Sequence, residues 1–281
     1  MHKPTIGTLP VPGASLYYEV RGTGPALLVI PTGNGDATPL APMADALADR
    51  YTVITYDRRG FSRSPLYGPV DDRQRLEADV HDARLLLDHF SQTPAHVLGT
   101  CSGAIVALAL LERHPGQIQT LLAHEPPLTS VLPDAARWTE FHAGLYDTYR
   151  RSGVEAARDI FKVSMGLDGQ TRPPKGAELP PEELAGLLDR LRRNQVFWFE
   201  YEMRTYPDFL PDIETLKSVS DRLVLLGGSA SREHVPYRPN TVLASLLGTD
   251  VLDFPGGHLG YVTHPIEFAD QLAGVLLARN G

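Results

Sequence analysis

The sequence contains a single cysteine, Cys101, among its 281 residues. One cysteine cannot form an internal disulfide, and it excludes a cysteine-rich metal site. The ten histidines are not clustered at ligand spacings, and no His-Glu-x-x-His motif occurs. We therefore expect neither a structural zinc ion nor any other cofactor.

Long apolar runs and an excess of positive charge are also missing. No stretch approaches the ~18 uninterrupted apolar residues that cross a bilayer. The N-terminus, Met1–Pro4, lacks the apolar run of a signal peptide, so we expect a cytoplasmic protein. The net charge of −8, from 26 basic and 34 acidic residues, argues against nucleic acid or an anionic membrane as a partner. The remaining composition, 42% apolar and 21% charged, is typical of a globular protein.

Short β-type runs alternate with helical stretches over most of the chain. The predicted strands are Leu16–Val20, Ala26–Ile30, Tyr51–Tyr56, His96–Gly99, Thr120–Ala123, Arg222–Leu226 and Asp250–Phe254. The predicted helices are Pro39–Ala48, Arg73–Phe90, Ser102–His114, Asn240–Leu247 and a last one from Pro265. Strands that alternate with crossover helices predict an α/β fold with a mostly parallel, doubly wound sheet covered on both faces.

This alternation is interrupted between about Pro126 and Ser218. The segment is predicted to be mostly helical, with breaks at Gly153 and around Gly166 to Pro181, and it holds half of the chain's aromatic residues. The simplest architecture is an α/β core formed by residues 1–126 and 219–281, with a helical cap inserted at 127–218. The aromatic side chains either pack this helical layer or line a pocket, and both can hold for the same residues.

The sequence Gly-Thr-Cys-Ser-Gly at Gly99–Gly103 lies between a predicted strand and a predicted helix. The spacing of small residues around Cys101 resembles the nucleophile elbow of the α/β-hydrolase fold, with cysteine where serine is usual. Small residues are needed because the tight turn brings neighbouring backbones together. The helix that follows directs free N–H groups and its positive dipole end towards the thiol, which favours the reactive thiolate.

Three further motifs occur in the order that this superfamily shows. They are an oxyanion-type loop at Ile30–Asp36, a second loop at Tyr56–Ser64 and a catalytic-histidine-type loop at Phe254–Tyr261. Within the second loop we expect Asp57 and Arg59 to brace loops and not to take part in chemistry. Together the four motifs cover nearly all of the chain outside the predicted cap, and the sequence is identified as a member of the α/β-hydrolase fold superfamily.

The resemblance implies roles for individual residues. Cys101 would be the nucleophile, and His258 would be its general base and later the general acid. The backbone N–H groups of Gly33 and Ser102 would bind the oxyanion of the tetrahedral intermediate. If the loop register is shifted by one residue, Asn34 takes the place of Gly33.

The acidic third member of the usual triad is missing from its usual loop. The superfamily generally places Asp or Glu after the strand that is predicted here at Arg222–Leu226. Related sequences with Gly-Glu-Asp-Ser-Arg in this loop align their aspartate with Ala230. Ser229 and Ser231 are not anions, and Glu233 lies three residues too late.

Glu125 is the alternative acid, because it directly follows the strand after the nucleophile helix, where some branches of the superfamily keep theirs. It would then be the partner of His258, although it could also simply bind loop amides at the cap entrance. A thiolate that already faces an imidazolium depends less on a third residue. A Cys-His dyad is therefore also viable, and Cys101 and Ala230 belong together in this interpretation. A further alternative is that one of these two residues was introduced to trap an acyl intermediate.

These features predict a cofactor-free acyl-transfer enzyme that acts through a thioester on Cys101. Thioesters favour amine and carbon nucleophiles over water, and an aromatic cap excludes water, so transfer or cyclisation of an activated acyl chain is the first interpretation. The partner would be a small-molecule acyl substrate, either free or delivered as a carrier or CoA thioester.

Two alternatives to acyl transfer remain. One is a hydrolase of an ester, lactone or thioester, similar to the cysteine-dependent dienelactone hydrolases. The other is a non-catalytic ligand-binding protein on a decayed hydrolase scaffold, which Ala230 favours and the intact elbow opposes. Epoxide hydrolases and haloalkane dehalogenases of this fold use an aspartate nucleophile, so Cys101 argues against both.

Overall fold

An eight-stranded sheet runs through the centre of the computed structural model, which describes residues 3–167 and 173–279. Its strands are β1 Thr5–Val11, β2 Ala14–Arg21, β3 Ala26–Ile30, β4 Thr52–Tyr56, β5 Ala95–Thr100, β6 Ile118–His124, β7 Leu223–Gly228 and β8 Val251–Phe254. The spatial order is β1-β2-β4-β3-β5-β6-β7-β8. Strands β3 to β8 are parallel, whereas β1 and β2 pair antiparallel. The predicted α/β class with a mostly parallel sheet is confirmed.

Helices cover both faces of this sheet, and two more, α4 and α5, belong to the segment inserted between β6 and β7. They are α1 Ala41–Leu47, α2 Arg75–Phe90, α3 Ser102–Arg113, α4 Ala135–Met165, α5 Pro181–Tyr201, α6 Ile213–Ser218, α7 Arg238–Leu247, α8 Gly260–Thr263 and α9 Pro265–Arg279. Alternate residues of β3 point to opposite faces, as the two-residue period of a strand requires. Leu28 and Ile30 pack with α2 and α3, whereas Leu27 and Val29 pack with α1 and α9. All four are essentially fully buried, each stabilising the fold by about 1.5–3 kcal/mol.

The helix α3 is buried on every side. All residues from Ser102 to Leu111 are buried, and the sequence Ala-Ile-Val-Ala-Leu-Ala-Leu-Leu within it is apolar around the whole helix. A helix with this composition belongs in the centre of a protein. Because α3 begins directly after β5, its burial fixes Cys101 at the carboxyl end of the central strands.

The segment between β6 and β7 carries the long helices α4 and α5. Gly153 interrupts α4 with a non-helical conformation, at φ 87° and ψ 174°, as predicted from the sequence. Polar side chains of α5 join this segment to the core: Arg190 binds Asp36 at 2.8 Å, and Asn194 accepts a hydrogen bond from Ser62 N–H at 2.9 Å. Residues 168–172 of this segment lie outside the described residues, and the cap boundaries of 127–218 remain a prediction.

The edge strand β1 was not predicted. It is mostly exposed and contains Pro10, so its sequence lacks the apolar pattern of a buried strand. It forms because Gly13, at φ 76°, allows a tight hairpin that pairs the strand with β2. Among the described residues, no helix is both long enough and apolar enough to cross a bilayer. Met1 and His2, on which part of the signal-peptide expectation rests, lie outside the described residues.

Candidate active site

Cys101 occupies a strained turn between β5 and α3. Its backbone has φ 52° and ψ −126°, a region that side chains other than glycine rarely adopt. A Cβ atom on Gly99 would lie 2.6 Å from the Cα of Ala104, and one on Gly103 would lie 2.3 Å from the carbonyl oxygen of Ile30. The two glycines are therefore required by close packing, and the turn leaves the Cys101 thiol half-buried at the start of α3.

His258 lies in the loop after β8, between Cys101 and Glu125. Its Nδ1 atom is 2.7 Å from Oε2 of Glu125, and the ring is almost completely buried. Burial favours the neutral imidazole, but the interactions with the Cys101 sulfur and then with the Glu125 carboxylate outweigh it and raise the pKa of His258 to about 10. The site therefore favours an imidazolium at His258 at neutral pH.

Glu125 follows β6 with a left-handed backbone, at φ 45°, and its side chain is fully buried. Besides facing His258, the carboxylate accepts hydrogen bonds through Oε1 from Gly228 N–H, at 2.7 Å, and from the Ser231 hydroxyl. Burial opposes the charge, but the hydrogen bond with His258 and the surrounding positive charge lower the pKa of Glu125 to about 2. The carboxylate thus both contacts His258 and binds a loop amide, the two possibilities raised by the sequence.

The loop after β7 donates hydrogen bonds to Glu125 but contributes no acidic side chain to the site. Ala230 is exposed, and its N–H donates to the carbonyl of Gly256 at 2.8 Å. Glu233 is also exposed. A Cβ on Gly228 would lie 2.5 Å from the Gly257 backbone, so only glycine lets this loop approach the histidine loop so closely. The hydrogen bond that the Ser231 hydroxyl donates to Glu125 was not predicted, because Ser231 was considered only as a possible anion.

The loop after β3 presents backbone N–H groups to the start of α3. Asn34 N–H already donates to Thr32 Oγ1 at 3.0 Å, whereas no described residue accepts a hydrogen bond from the N–H of Gly33 or of Ser102. A Cβ on Gly33 would lie 3.3 Å from Ser102 Oγ and 2.5 Å from Trp198 Nε1. Gly33 therefore lies close to Ser102 and to the indole of Trp198, and the choice between Gly33 and Asn34 as an oxyanion donor remains a prediction.

Arg58 links this loop to the helical segment, and sequence reasoning missed it. The guanidinium is completely buried, and its Nη1 donates to Glu202 Oε1 at 3.0 Å and lies 3.4 Å from Ser102 Oγ and 3.3 Å from the Thr32 carbonyl. Its Nη2 forms an ion pair with buried Asp79. Arg58 therefore holds together the two segments that carry the free N–H groups.

The neighbours of Arg58 brace loops, which is the role expected for them. Asp57 accepts hydrogen bonds from Ala37 N–H at 2.8 Å and from Arg63 Nε at 2.6 Å. Arg59 Nε donates to Asp82 at 2.6 Å. These contacts fix the two loops at the carboxyl ends of β3 and β4.

A pocket with a cavity volume of about 40 Å³ adjoins Cys101. Its walls are mostly apolar and come largely from α4, α5 and the segment before α7. They include Phe161, Met165, Leu167, Trp198, Met203 and Val235. Other aromatic rings pack within the helical segment, for example Tyr149 stacked on Phe199 with centroids 5.1 Å apart. The aromatic residues therefore divide between both predicted uses. Nowhere in residues 3–167 or 173–279 do three His, Cys, Asp or Glu side chains form a group that could hold a metal ion.

This sheet order and this turn define the α/β-hydrolase class, and comparison with known proteins agrees. Residues 25–160 match the family model described as alpha/beta hydrolase fold. The uncharacterized hydrolase YraK of Bacillus subtilis is 37% identical over 276 residues, covering 96% of this chain and 95% of YraK. The chain therefore belongs to the α/β-hydrolase fold family.

More distant relatives share almost the full length. A zearalenone hydrolase of Bionectria ochroleuca is 26% identical over 273 residues, covering 94% of this chain and 95% of that enzyme. The enol-lactonase of Burkholderia xenovorans LB400 has a similar fold, with a TM-score of 0.71 at 17% identity over 96% of this chain and all of that structure. Both YraK and the zearalenone hydrolase are named as hydrolases, which favours the hydrolase alternative over acyl transfer.

Proposed function

We propose that the protein hydrolyses a carboxylic ester or lactone through a thioester intermediate on Cys101. The observation that carries this proposal is the arrangement of His258, which interacts with Cys101 on one side and with the buried Glu125 on the other. The named activities of the relatives support hydrolysis as the outcome.

In the first half-reaction, the Cys101 thiolate attacks the carbonyl carbon and a sulfur–carbon bond forms. The negative charge on the carbonyl oxygen is stabilised by the N–H groups of Gly33 and Ser102, and losing one such donor typically costs roughly 10²- to 10³-fold in turnover. The carbon–oxygen bond of the ester then breaks. His258 gives its proton to the departing alkoxide, which leaves as an alcohol.

In the second half-reaction, the neutral His258 takes a proton from water, and the resulting hydroxide attacks the thioester carbon. The sulfur–carbon bond breaks, the carboxylic acid is released, and the thiolate is again paired with the imidazolium. Glu125 binds Nδ1, so Nε2 is the nitrogen that exchanges protons with substrate and water. In a lactone, the acid and the alcohol remain on one product molecule.

Intact-mass spectrometry during turnover tests this proposal. The probes are p-nitrophenyl esters of increasing chain length and zearalenone, a macrocyclic lactone chosen because two relatives are named for its hydrolysis. We expect the wild type to gain the mass of one acyl group and then lose it, and Cys101→Ala to gain none. Equal product release by both proteins would contradict the thioester mechanism.

The same experiment separates the alternatives. If an added amine or thiol captures the acyl group in preference to water, acyl transfer is the better description of the activity. A Cys101 thiol that neither acylates nor reacts with iodoacetamide would instead indicate a ligand-binding protein.

A further inference from the structure

One polar side chain in the pocket beside Cys101 has no role in the proposed reaction. His142 lies on α4 and lines this pocket, where it is 6% exposed. Its Nδ1 atom is fully buried and has no hydrogen-bond partner among the described residues. The adjacent ring is that of Phe141, with centroids 5.6 Å apart, so the nearest aromatic surface is apolar.

The other charged groups of the pocket wall face a partner of opposite charge, although Glu202 Oε2 makes no hydrogen bond with a described residue. Glu202 forms an ion pair with Arg58 at 2.9 Å, and His258 is held by Glu125. Two further buried histidines, His96 and His124, also have unpaired ring nitrogens, but they belong to strands β5 and β6 and do not line the pocket. An unpaired polar group inside a pocket costs free energy unless a bound molecule pairs with it.

The charge state of His142 limits which functional groups of a bound molecule can pair with it. Burial lowers the pKa of His142 to about 4, so the ring is neutral at physiological pH. A neutral imidazole has one donor and one acceptor nitrogen. It therefore suits an uncharged hydroxyl or ketone oxygen, and it offers no charge to attract a carboxylate.

We propose that His142 binds an uncharged oxygen of the substrate at a distance from the reacting carbonyl, and so selects oxygenated esters or lactones over plain hydrocarbon ones. This inference rests on the proposed ester or lactone hydrolysis. A site that hydrogen-bonds a substrate group discriminates strongly against an analogue that lacks it, because the protein group is then left unpaired. The apolar walls would bind either substrate equally well.

Kinetics with a ketone at successive positions of one acyl chain test this subsite. The probes are p-nitrophenyl heptanoate and its 4-oxo, 5-oxo and 6-oxo derivatives. We expect one oxo ester to exceed heptanoate in kcat/KM by at least about tenfold in the wild type. In His142→Leu this preference should disappear, because a leucine side chain cannot hydrogen-bond a ketone oxygen. His142→Gln should recover part of the preference, because an amide also donates and accepts.

Phe161→Leu is the matched control, since Phe161 lines the same pocket without a hydrogen-bonding group. It changes the shape of the wall, and the oxo-to-heptanoate ratio should survive it. A ratio near one for all three ketones in the wild type, or an unchanged ratio in His142→Leu, would overturn the inference. Cleavage of heptanoate in the wild type compared with Cys101→Ala reports separately on the proposed function.

Binding gives a measure that does not depend on turnover. In ¹⁵N-histidine-labelled Cys101→Ala, the imidazole signals of His142 should shift with the methyl ester of the preferred oxo acid and not with methyl heptanoate. Equal shifts with both esters, or none with either, would count against the subsite even if the leucine variant failed to fold.

Discussion

The loops that follow β6 and β7 both contribute to the carboxylate site beside His258, but not in the usual arrangement. The superfamily generally places its acid after β7, but here that loop carries the exposed Ala230, and the carboxylate is Glu125 after β6. Neighbouring strands lie about 4.8 Å apart, so a long side chain from one strand end can reach a site usually served from the next. The loop after β7 instead supplies Gly228 N–H and the Ser231 hydroxyl to that carboxylate. In this chain the carboxylate that contacts His258 therefore comes from one strand end, and its hydrogen-bond donors come from the next.

The largest effect is expected from Cys101→Ala, which removes the group that both strand ends serve. Turnover should fall by at least about 10³-fold, as for loss of the nucleophile in related catalytic sets. Removing a small, half-buried side chain should leave the fold intact. Ester hydrolysis and thermal unfolding measure the two effects. Near-normal activity would refute the entire catalytic assignment.

Glu125→Gln should lower the rate by at least tenfold, because the amide cannot stabilise the imidazolium. The upper limit is the roughly 10⁴-fold loss that follows when a serine triad loses its aspartate. Steady-state rates between pH 6 and 9 measure the effect. Glu233→Gln is the control, since that carboxylate is exposed. If both variants kept the wild-type rate, a bare Cys-His dyad would describe the site better.

The pH dependence should shift in a direction set by Glu125. The pKa of His258 is raised to about 10, so the imidazolium that protonates the leaving alkoxide is lost only as the pH rises through that value. Removing a neighbouring anion lowers the pKa of an imidazolium. We therefore expect the alkaline fall in kcat/KM to move to lower pH in Glu125→Gln. A profile that stays in place would show that the carboxylate does not act on His258.

Ser231→Ala tests the contribution of the β7 loop and should have a smaller effect. It removes one donor to the Glu125 carboxylate, while the donor Gly228 N–H remains. A three- to tenfold loss in kcat is expected, because a hydrogen bond to a charged group is worth about 1.5 kcal/mol, or roughly 13-fold, and the remaining Gly228 donor offsets part of its loss. Ser229→Ala, at an exposed position of the same loop, is the control. Equal effects of the two substitutions would argue against a specific donor role.

The smallest effect is expected from returning an acid to the β7 loop. Ala230→Asp in the Glu125→Gln background should recover only a few-fold in rate, since residue 230 is exposed and its backbone is tied to Gly256. In the wild type the same substitution should change turnover little. A double-mutant cycle measures this coupling. Full recovery would mean that the two strand ends are interchangeable and that our comparison is wrong.

Much of this arrangement follows from local sequence, and the rest depends on distant contacts. The alternation of strands and helices and the turn around Cys101 were predictable because each depends on the pattern of consecutive residues. The pairing of Glu125 with His258 joins residues 133 positions apart, so the sequence alone could only offer it as one of two possibilities. Ser231 escaped notice because its importance lies in donating to a carboxylate on another strand.

Arg58 shows the same limit more strongly. Its neighbours Asp57 and Arg59 drew attention as members of a motif, but nothing in the local sequence shows that Arg58 becomes completely buried. A signal was present on α2, where Asp79 and Asp82 share a face with buried Val80 and Leu86. Acids on a buried helix face require cationic partners, and only the fold reveals which ones.

The ion pair between Arg58 and Glu202 has a mechanical consequence. Both side chains are completely buried, and they join the core loop after β4 to the residue that follows α5. Breaking a buried ion pair typically costs about 3–5 kcal/mol. Arg58 would keep Asp79 as a partner, and a cost of about 3 kcal/mol already limits the separated arrangement to roughly one molecule in 150. The end of α5 therefore acts as a fixed anchor.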